Sequence, residues 1–229
     1  MSEAVIQEQM AYYQARAAEY DEWFYRQGRY DRGETGNARW FAEAAAVREA
    51  LLSGQPVQSA VELACGTGIW TQELIKIARE VTALDASEEM IAINRAKVAS
   101  DQVAYQQVDL FSWQPTQPYA LLFAGFWLSH VPPDKLDEFL AKVARSVSKG
   151  GHVFIVDSQR AQSSTAHDHS TYEEQSIHHT RKLNDGREFT IIKIFHDPAA
   201  LGQKLAEVGF QSDVHLTDNY FIYGGGVRT

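Results

Sequence analysis

The chain has one cysteine, Cys65, in 229 residues. A lone thiol closes no intrachain disulfide, so a disulfide scaffold is excluded and a reducing compartment suits the chain. Long apolar runs are also missing: no stretch approaches the ~20 residues that cross a bilayer. The opening residues MSEAVIQEQMAYYQ have neither the basic start nor the apolar centre of a secretory leader. No leader is therefore expected, and a cytoplasmic location is. Positive charge is in deficit, with 21 Lys and Arg against 30 Asp and Glu and a formal net charge of −9. That balance argues against a polyanion such as nucleic acid as the main partner. There is no internal repeat, low-complexity tract or long linker. What is present is an ordinary globular composition, 45% hydrophobic and 22% charged, long enough for one large core.

Hydrophobic periodicity orders the rest. Residues 3–27 read as a helix, with Val5, Ile6, Met10, Tyr13, Ala17 and Tyr20 at three- and four-residue spacing. RQGRYDRGETGN, with its three glycines, reads as a loop, and ARWFAEAAAVREALLS as a helix stopped by Gly54 and Pro56. Strand and helix then alternate: SAVELA, IWTQELIKIAR, EVTALD, SEEMIAINRAKVAS, VAYQQVD, YALLFAGF, PDKLDEFLAKVARSVSKGG and HVFIVD. Ser87 suits a helix N-cap, and YALLFAGF is apolar throughout, as a central strand covered on both faces should be. The alternation predicts a parallel sheet with helices on both faces. After Asp157 the rhythm breaks into the polar SQRAQSSTAHDHSTYEEQ. SIHHTRKL and REFTIIKIF flank Asn184-Asp185-Gly186, a hairpin signal. DPAALGQKLAEVGF is a helix with Asp197 as N-cap and Pro198 at its first position, and SDVHLT with YFIYGGGV forms a last antiparallel pair.

The first strand runs into LACGTG. Gly66 and Gly68 lie between strand and helix, where small residues let backbone N–H groups approach a ligand. A dinucleotide loop wants a further glycine where Thr71 stands, so this Gly-x-Gly alone says little about NAD. Two acids add weight. Asp85 ends the second strand beside that loop and is placed to accept the hydroxyls of a ribose. Asp109 ends the third strand, placed to accept a hydrogen bond from an exocyclic amine, with Leu110 or Phe111 packing a base.

The stretches VELACGTGIWTQEL, VTALDASEEMI, VAYQQVDLFSW, YALLFAGFWLSHVP and LAKVARSVSKGGHVFIVD, spanning about residues 57–157, resemble the class I S-adenosylmethionine-dependent methyltransferases. The resemblance implies an α/β, Rossmann-like, doubly wound seven-stranded sheet in the order 3-2-1-4-5-7-6 with an antiparallel last strand. To this the chain adds an N-terminal helical lid and a β-hairpin inserted after strand 5. The expected organisation is one domain, 1–229: lid 1–53, cofactor-binding core 57–157, polar segment and hairpin cap 158–196, and C-terminal helix and strand pair 197–229. The family's acid-x-Gly-x-Gly-x-Gly motif reads here Glu62, Ala64, Gly66, Gly68, with Ala64 in the first glycine's place. By resemblance the cofactor is S-adenosyl-L-methionine. Glu62 orients the loop or reaches the methionine amino group through water, Asp85 holds the ribose with Ala86 and Met90 beside the adenosine, and Asp109 and Leu110 recognise adenine. Phe126 lies near the sulfonium and Tyr20 belongs to the lid side of the cofactor site.

The implied reaction is methyl transfer to an oxygen or nitrogen of a small molecule, an in-line displacement in which positioning does most of the work. His130 is the candidate base, with an ordinary pKa of about 6.5 that suits proton removal near neutrality; a local structural role is the competing reading. Tyr13, Trp127 and Asp157 are the candidate substrate contacts, and Arg16 is a candidate partner for the methionine carboxylate. His167, His169, His178 and His179 read as surface histidines and Lys182 and Lys193 as solvent-facing, so no metal is expected. The expected partners are a small-molecule acceptor and, as an open option, a second copy of the chain in a homodimer, with neither nucleic acid nor membrane. Two rival readings stand beside this one: a protein of the same fold that binds the cofactor without methylating, and an NAD-dependent oxidoreductase.

Overall fold

A computed structural model describes residues 3–169 and 176–229. Helix α1 (Glu3–Ala15) and the short α2 (Tyr20–Phe24) lead into α3 (Gly33–Leu52). The alternating unit follows as β1 (Val57–Leu63), α4 (Thr71–Ile77), β2 (Ala78–Asp85), α5 (Glu88–Val98), β3 (Val103–Gln107), β4 (Tyr119–Gly125), α6 (Pro133–Ser146) and β5 (Val147–Ser158). Then come β6 (His178–Lys182), β7 (Glu188–Ile192), α7 (Pro198–Glu207), β8 (Phe210–Leu216) and β9 (Phe221–Arg228). Part of the polar stretch read from the sequence, residues 170–175, lies outside the described residues.

Seven strands form one sheet in the order β3-β2-β1-β4-β5-β9-β8, and β6 and β7 form a separate antiparallel ribbon. β1 to β5 pair in parallel, and β9 runs antiparallel to both β5 and β8. The chain reverses its direction of strand addition between β1 and β4, which opens a crevice at their carboxyl ends. One sheet face is covered by α6 and α7 through Leu136, Phe139, Leu140, Val143, Leu201 and Leu205. The other is covered by α3 and α4 through Trp40, Ala44, Val47, Leu51 and Leu74. Each fully buried side chain of this kind is worth roughly 1.5–3 kcal/mol.

Local sequence signals account for most boundaries. Ser87 Oγ accepts from the Met90 amide at 3.2 Å and starts α5, and Asp197 accepts from the Ala200 amide at 2.9 Å and starts α7. Two expectations fail. The helix read over 3–27 breaks after Ala15 into turns at Ala17–Glu19 and Gly28–Tyr30 around α2. The reason is Arg16: the chain bends so that the rings of Tyr12, Tyr20 and Tyr30 surround its guanidinium at 5.6, 4.9 and 5.8 Å. A straight helix spreads such positions along its axis and cannot enclose one cation. Likewise GETGN, read as loop from its glycines, is the first turn of α3. Asp31 Oδ1 fixes it by accepting from the Gly33 amide at 2.8 Å and Asn37 Nδ2 at 2.7 Å.

The antiparallel end of the sheet depends on glycine. A Cβ on Gly225 would lie 1.9 Å from the Val153 carbonyl oxygen, a backbone atom that cannot rotate away. Gly225→Ala is expected to cost about 2–3 kcal/mol in urea unfolding, the upper range for overpacking. Gly54→Ala, whose nearest atom would be at 3.5 Å, is expected to cost far less; equal losses would show that β5 and β9 yield freely.

Candidate active site

The loop after β1 is held in a conformation that costs free energy. Ala64, Gly66 and Gly68 have φ of +52°, +51° and +90°. An alanine in the left-handed region pays roughly 1–2 kcal/mol that glycine does not, and this is the cost of the replacement noted in the motif. Asp85, at the end of β2, stitches the loop: its Oδ2 accepts from the Gly66 amide and its Oδ1 from the Ser87 amide, both at 2.9 Å. Burial raises the Asp85 pKa, opposed by these backbone donors. Glu62 is buried beneath the loop and accepts from Thr71 Oγ1 at 2.6 Å. Burial pushes its pKa up to about 8, against the pull of Thr71 and with the help of the Asp85 charge.

Asn94, which the sequence reading missed, ties the loop from below. Its Nδ2 donates to Cys65 O at 3.2 Å, Gly66 O at 3.3 Å and Thr71 Oγ1 at 2.8 Å, and its Oδ1 accepts from Tyr105 at 2.9 Å. The signal was a polar residue sharing the buried side of α5 with Met90 and Ile91. Gly68 belongs to this packing. A Cβ there would meet Asn94 Oδ1 at 2.7 Å, and Gly68 lines neither cavity described below nor the recess over Glu62. The absent side chain lets Asn94 and Val98 of α5 pack close against the loop.

A cavity of about 860 Å³ opens at the carboxyl ends of β1, β2 and β4. Ala64, Gly66, Asp85, Ala86 and Met90 line one side, and Asp109, Leu110, Phe111 and Trp127 another. Asp109 Oδ1 accepts from the Phe111 amide at 2.9 Å. α1 supplies Ile6, Gln9, Met10, Tyr13 and Gln14, a wall of which the sequence reading had named only Tyr13. A recess of about 300 Å³ over Glu62, Thr67 and Trp70 adjoins it through Tyr20, Ala64, Gly66 and Phe126. A pocket with acids at two strand ends, apolar walls and a buried acid in its recess fits an adenosine-bearing cation. Two indole N–H groups on these walls, those of Trp70 and Trp127, are buried without a partner.

A second cavity, of about 480 Å³, lies on the far side of Tyr13, Tyr20, Phe126 and His130, which line both. Phe126 itself has φ of +55°, held by its amide donating to Val156 O at 2.7 Å. The wall opposite comes from β6, β7 and the segments around them: Thr165, His169, Arg181, Ile191 and Lys193.

His130 is not a near-neutral base here. Burial pulls its pKa down to about 3, with Lys193 adding to the effect. Its Nδ1 lies 2.5 Å from the Ile192 carbonyl, which can only accept, so Nδ1 carries the proton and Nε2 accepts from Tyr13 Oη at 2.7 Å. Asp157 is also placed differently from the expectation. It lines neither cavity, is 1% exposed, and forms a buried ion pair with Lys193 at 2.9 Å while accepting from the Ser129 amide at 2.9 Å. Burial raises the Asp157 carboxyl, and Lys193, His130 and the Ser129 amide more than reverse this, so it stays ionised. Trp127 stands in the larger cavity beside Phe111, ring centres 5.6 Å apart, and not in the smaller one. Lys193, read as solvent-facing, is buried, as are His169 and His179, read as surface residues.

The chain is similar to known proteins in sequence and in fold. Residues 60–151 match the family described as "Methyltransferase domain". A trans-aconitate 2-methyltransferase of Rhizobium etli is 37% identical over 109 residues, covering 44% of this chain and 40% of that protein. The chain thus matches about two fifths of the length of this curated relative. Two solved structures match throughout at 34% identity. A DhpI–SAH complex has a TM-score of 0.80, covering 100% of this chain and 98% of that one. A DhpI–SAM–HEP complex has a TM-score of 0.81, covering 98% of each.

Two measurements test the loop. Ala64→Gly is expected to stabilise the protein by about 0.5–1 kcal/mol, because relief of the left-handed strain exceeds the entropy glycine adds to the unfolded chain; a lower denaturation midpoint would refute it. Glu62 holds its proton in the folded state from its ordinary value of 4.5 up to about 8, while the unfolded chain has released it. Its contribution to stability is therefore full below pH 4.5 and is lost as pH rises towards 8. Glu62→Gln in cofactor-free protein is expected to flatten the fall in stability across that window. The check is urea unfolding at pH 5, 7 and 9, where a mutant-minus-wild-type difference that does not grow with pH would contradict the assignment.

Proposed function

The chain belongs to the S-adenosylmethionine-dependent methyltransferases, and from that premise we propose that it methylates an oxygen or nitrogen of a small-molecule acceptor in the 480 Å³ cavity. The observation that carries the reading is the shared wall. Tyr13, Tyr20, Phe126 and His130 face the acid-lined cavity on one side and the smaller cavity on the other, so a reacting pair would meet between these four side chains.

When bound, S-adenosylmethionine supplies a methyl group on a positively charged sulfur. Asp85 and Asp109 would hold the ribose and the adenine amine, with Met90 and Leu110 packing the base. Glu62 and the recess above it would receive the amino-acid end, where an ammonium group would favour the ionised carboxylate. Phe126 and Tyr20 offer ring faces to a cation, worth ~0.5–2 kcal/mol where water is excluded. His130 acts on the acceptor side as a neutral hydrogen-bond acceptor that fixes Tyr13. It is a positioning residue in this reading and takes no proton. Holding the acceptor at ~3–3.5 Å in line with the methyl supplies most of the acceleration. A relative named for trans-aconitate supports a small acceptor.

Asp85→Asn is expected to weaken S-adenosylhomocysteine binding at least tenfold in titration calorimetry, and NAD is expected to give no heat with the wild type. Tight NAD binding without a response to S-adenosylmethionine would overturn the reading. So would a failure to release S-adenosylhomocysteine with any acceptor in a panel of small oxygen and nitrogen nucleophiles.

A further inference from the structure

The smaller cavity differs from its neighbour in charge. The larger cavity and its recess carry Asp85, Asp109 and Glu62. Among its described lining residues the smaller one has no carboxylate and three cationic side chains, Arg16, Arg181 and Lys193. All three are buried, at 8%, 6% and 7% exposure. Buried cations are expensive unless something compensates them. Lys193 is compensated from behind by Asp157, which leaves its ammonium donating also to Ser129 Oγ at 2.8 Å and Ser158 Oγ at 3.2 Å. Arg181 donates to the Thr180 carbonyl at 3.2 Å.

Arg16 stands out. Among the described residues it has no carboxylate partner. Its one hydrogen bond runs from Nη2 to Tyr30 Oη at 3.2 Å, and its buried Nε has none. Burial works against its charge, the rings of Tyr12, Tyr20 and Tyr30 surround it, and a guanidinium holds its proton in proteins regardless. A planar fork of five donors with one internal bond is suited to a carboxylate or a phosphate.

Resting on the methyltransferase reading above, we propose that the acceptor is a small oxyanion, gripped by Arg16 in the field of Arg181 and Lys193, with its own ionised oxygen as the nucleophile. The chemistry balances without a base. The acceptor oxygen donates a lone pair to the methyl carbon, the carbon–sulfur electron pair stays on sulfur, and no proton leaves. That matches a site whose central histidine is neutral and occupied by Tyr13. Negative charge on the acceptor and positive charge on the cofactor are each met by side chains of opposite sign, on opposite sides of the shared wall.

The test is titration of the protein, with and without saturating S-adenosylhomocysteine, by inorganic phosphate, malonate and glycerol, read by tryptophan fluorescence. Saturable binding of phosphate or malonate, with none of glycerol, is expected; whichever anion prevails assigns a tetrahedral or a planar head. Arg16→Gln is expected to weaken the anion tenfold or more while S-adenosylhomocysteine affinity stays within threefold, and Arg16→Lys to retain part of the binding and serve if the glutamine variant does not fold. Absence of anion binding overturns the proposal, as does equal binding to wild type and Arg16→Gln, which marks an adventitious ion only. A further overturning result is loss of S-adenosylhomocysteine affinity in Arg16→Gln with 5′-methylthioadenosine unaffected, which would give Arg16 to the cofactor's carboxylate. Failure of the wild type to bind S-adenosylhomocysteine would instead remove the methyltransferase reading, while the titration without it still reads the pocket.

Discussion

One buried junction holds the site together. His130 Nδ1 is bonded to the Ile192 carbonyl, and the Ile192 amide donates to Gln9 Oε1 at 3.0 Å. Gln9 Nε2 reaches the His130 carbonyl at 3.3 Å, and Tyr13 donates to His130 Nε2. The Ile194 amide closes the set on Ser129 O at 2.8 Å. Three polar side chains, Gln9, Tyr13 and His130, thereby join α1, the loop after β4 and the strand β7 through backbone groups, although these lie far apart in sequence. In a water-poor interior each such group is costly to leave unpaired, so the three segments are fixed together or not at all. Both cavities take their common wall from this junction.

The junction also explains the chemistry left to the residues. A histidine that donates to a carbonyl and accepts from a tyrosine has both nitrogens engaged, and burial removes its tendency to charge. The site then has no ready proton acceptor on its central wall. It offers shape, apolar faces and charges of opposite sign on the two sides, which is what a displacement between a cationic donor and an electron-rich acceptor requires. The strain stored at Ala64 and Phe126, both in the left-handed region, sits on the same edge of the sheet.

The parallel sheet and the positions of Asp85 and Asp109 were legible because period-two and period-3.6 patterns and strand-end acids are local features, whereas the strand order was implied only by the family resemblance. Glu62, Ala86, Met90 and Leu110 were named by resemblance, and the fold places them on the walls of the larger cavity and its recess. The packing of Asn94 against Gly68 was not legible, because a glycine that admits a ligand and one that admits a side chain look alike in one dimension. Which of two neighbouring cavities Trp127 lines was likewise not legible, and the structure places it in the larger one.

The sequence by itself determined the alternating sheet, the glycine-containing turn after its first strand and the scarcity of basic residues overall. Only the tertiary structure decided where the few cations went. Arg16, Arg181 and Lys193 come from three separate stretches and look, in sequence, like solvated charges. Folding buries them around one space, where Tyr12, Tyr20 and Tyr30 surround Arg16 and Asp157, 36 residues away, pairs with Lys193. The same holds for His130, whose charge state follows from the carbonyl of Ile192 and the exclusion of water, not from the residues beside it in the chain.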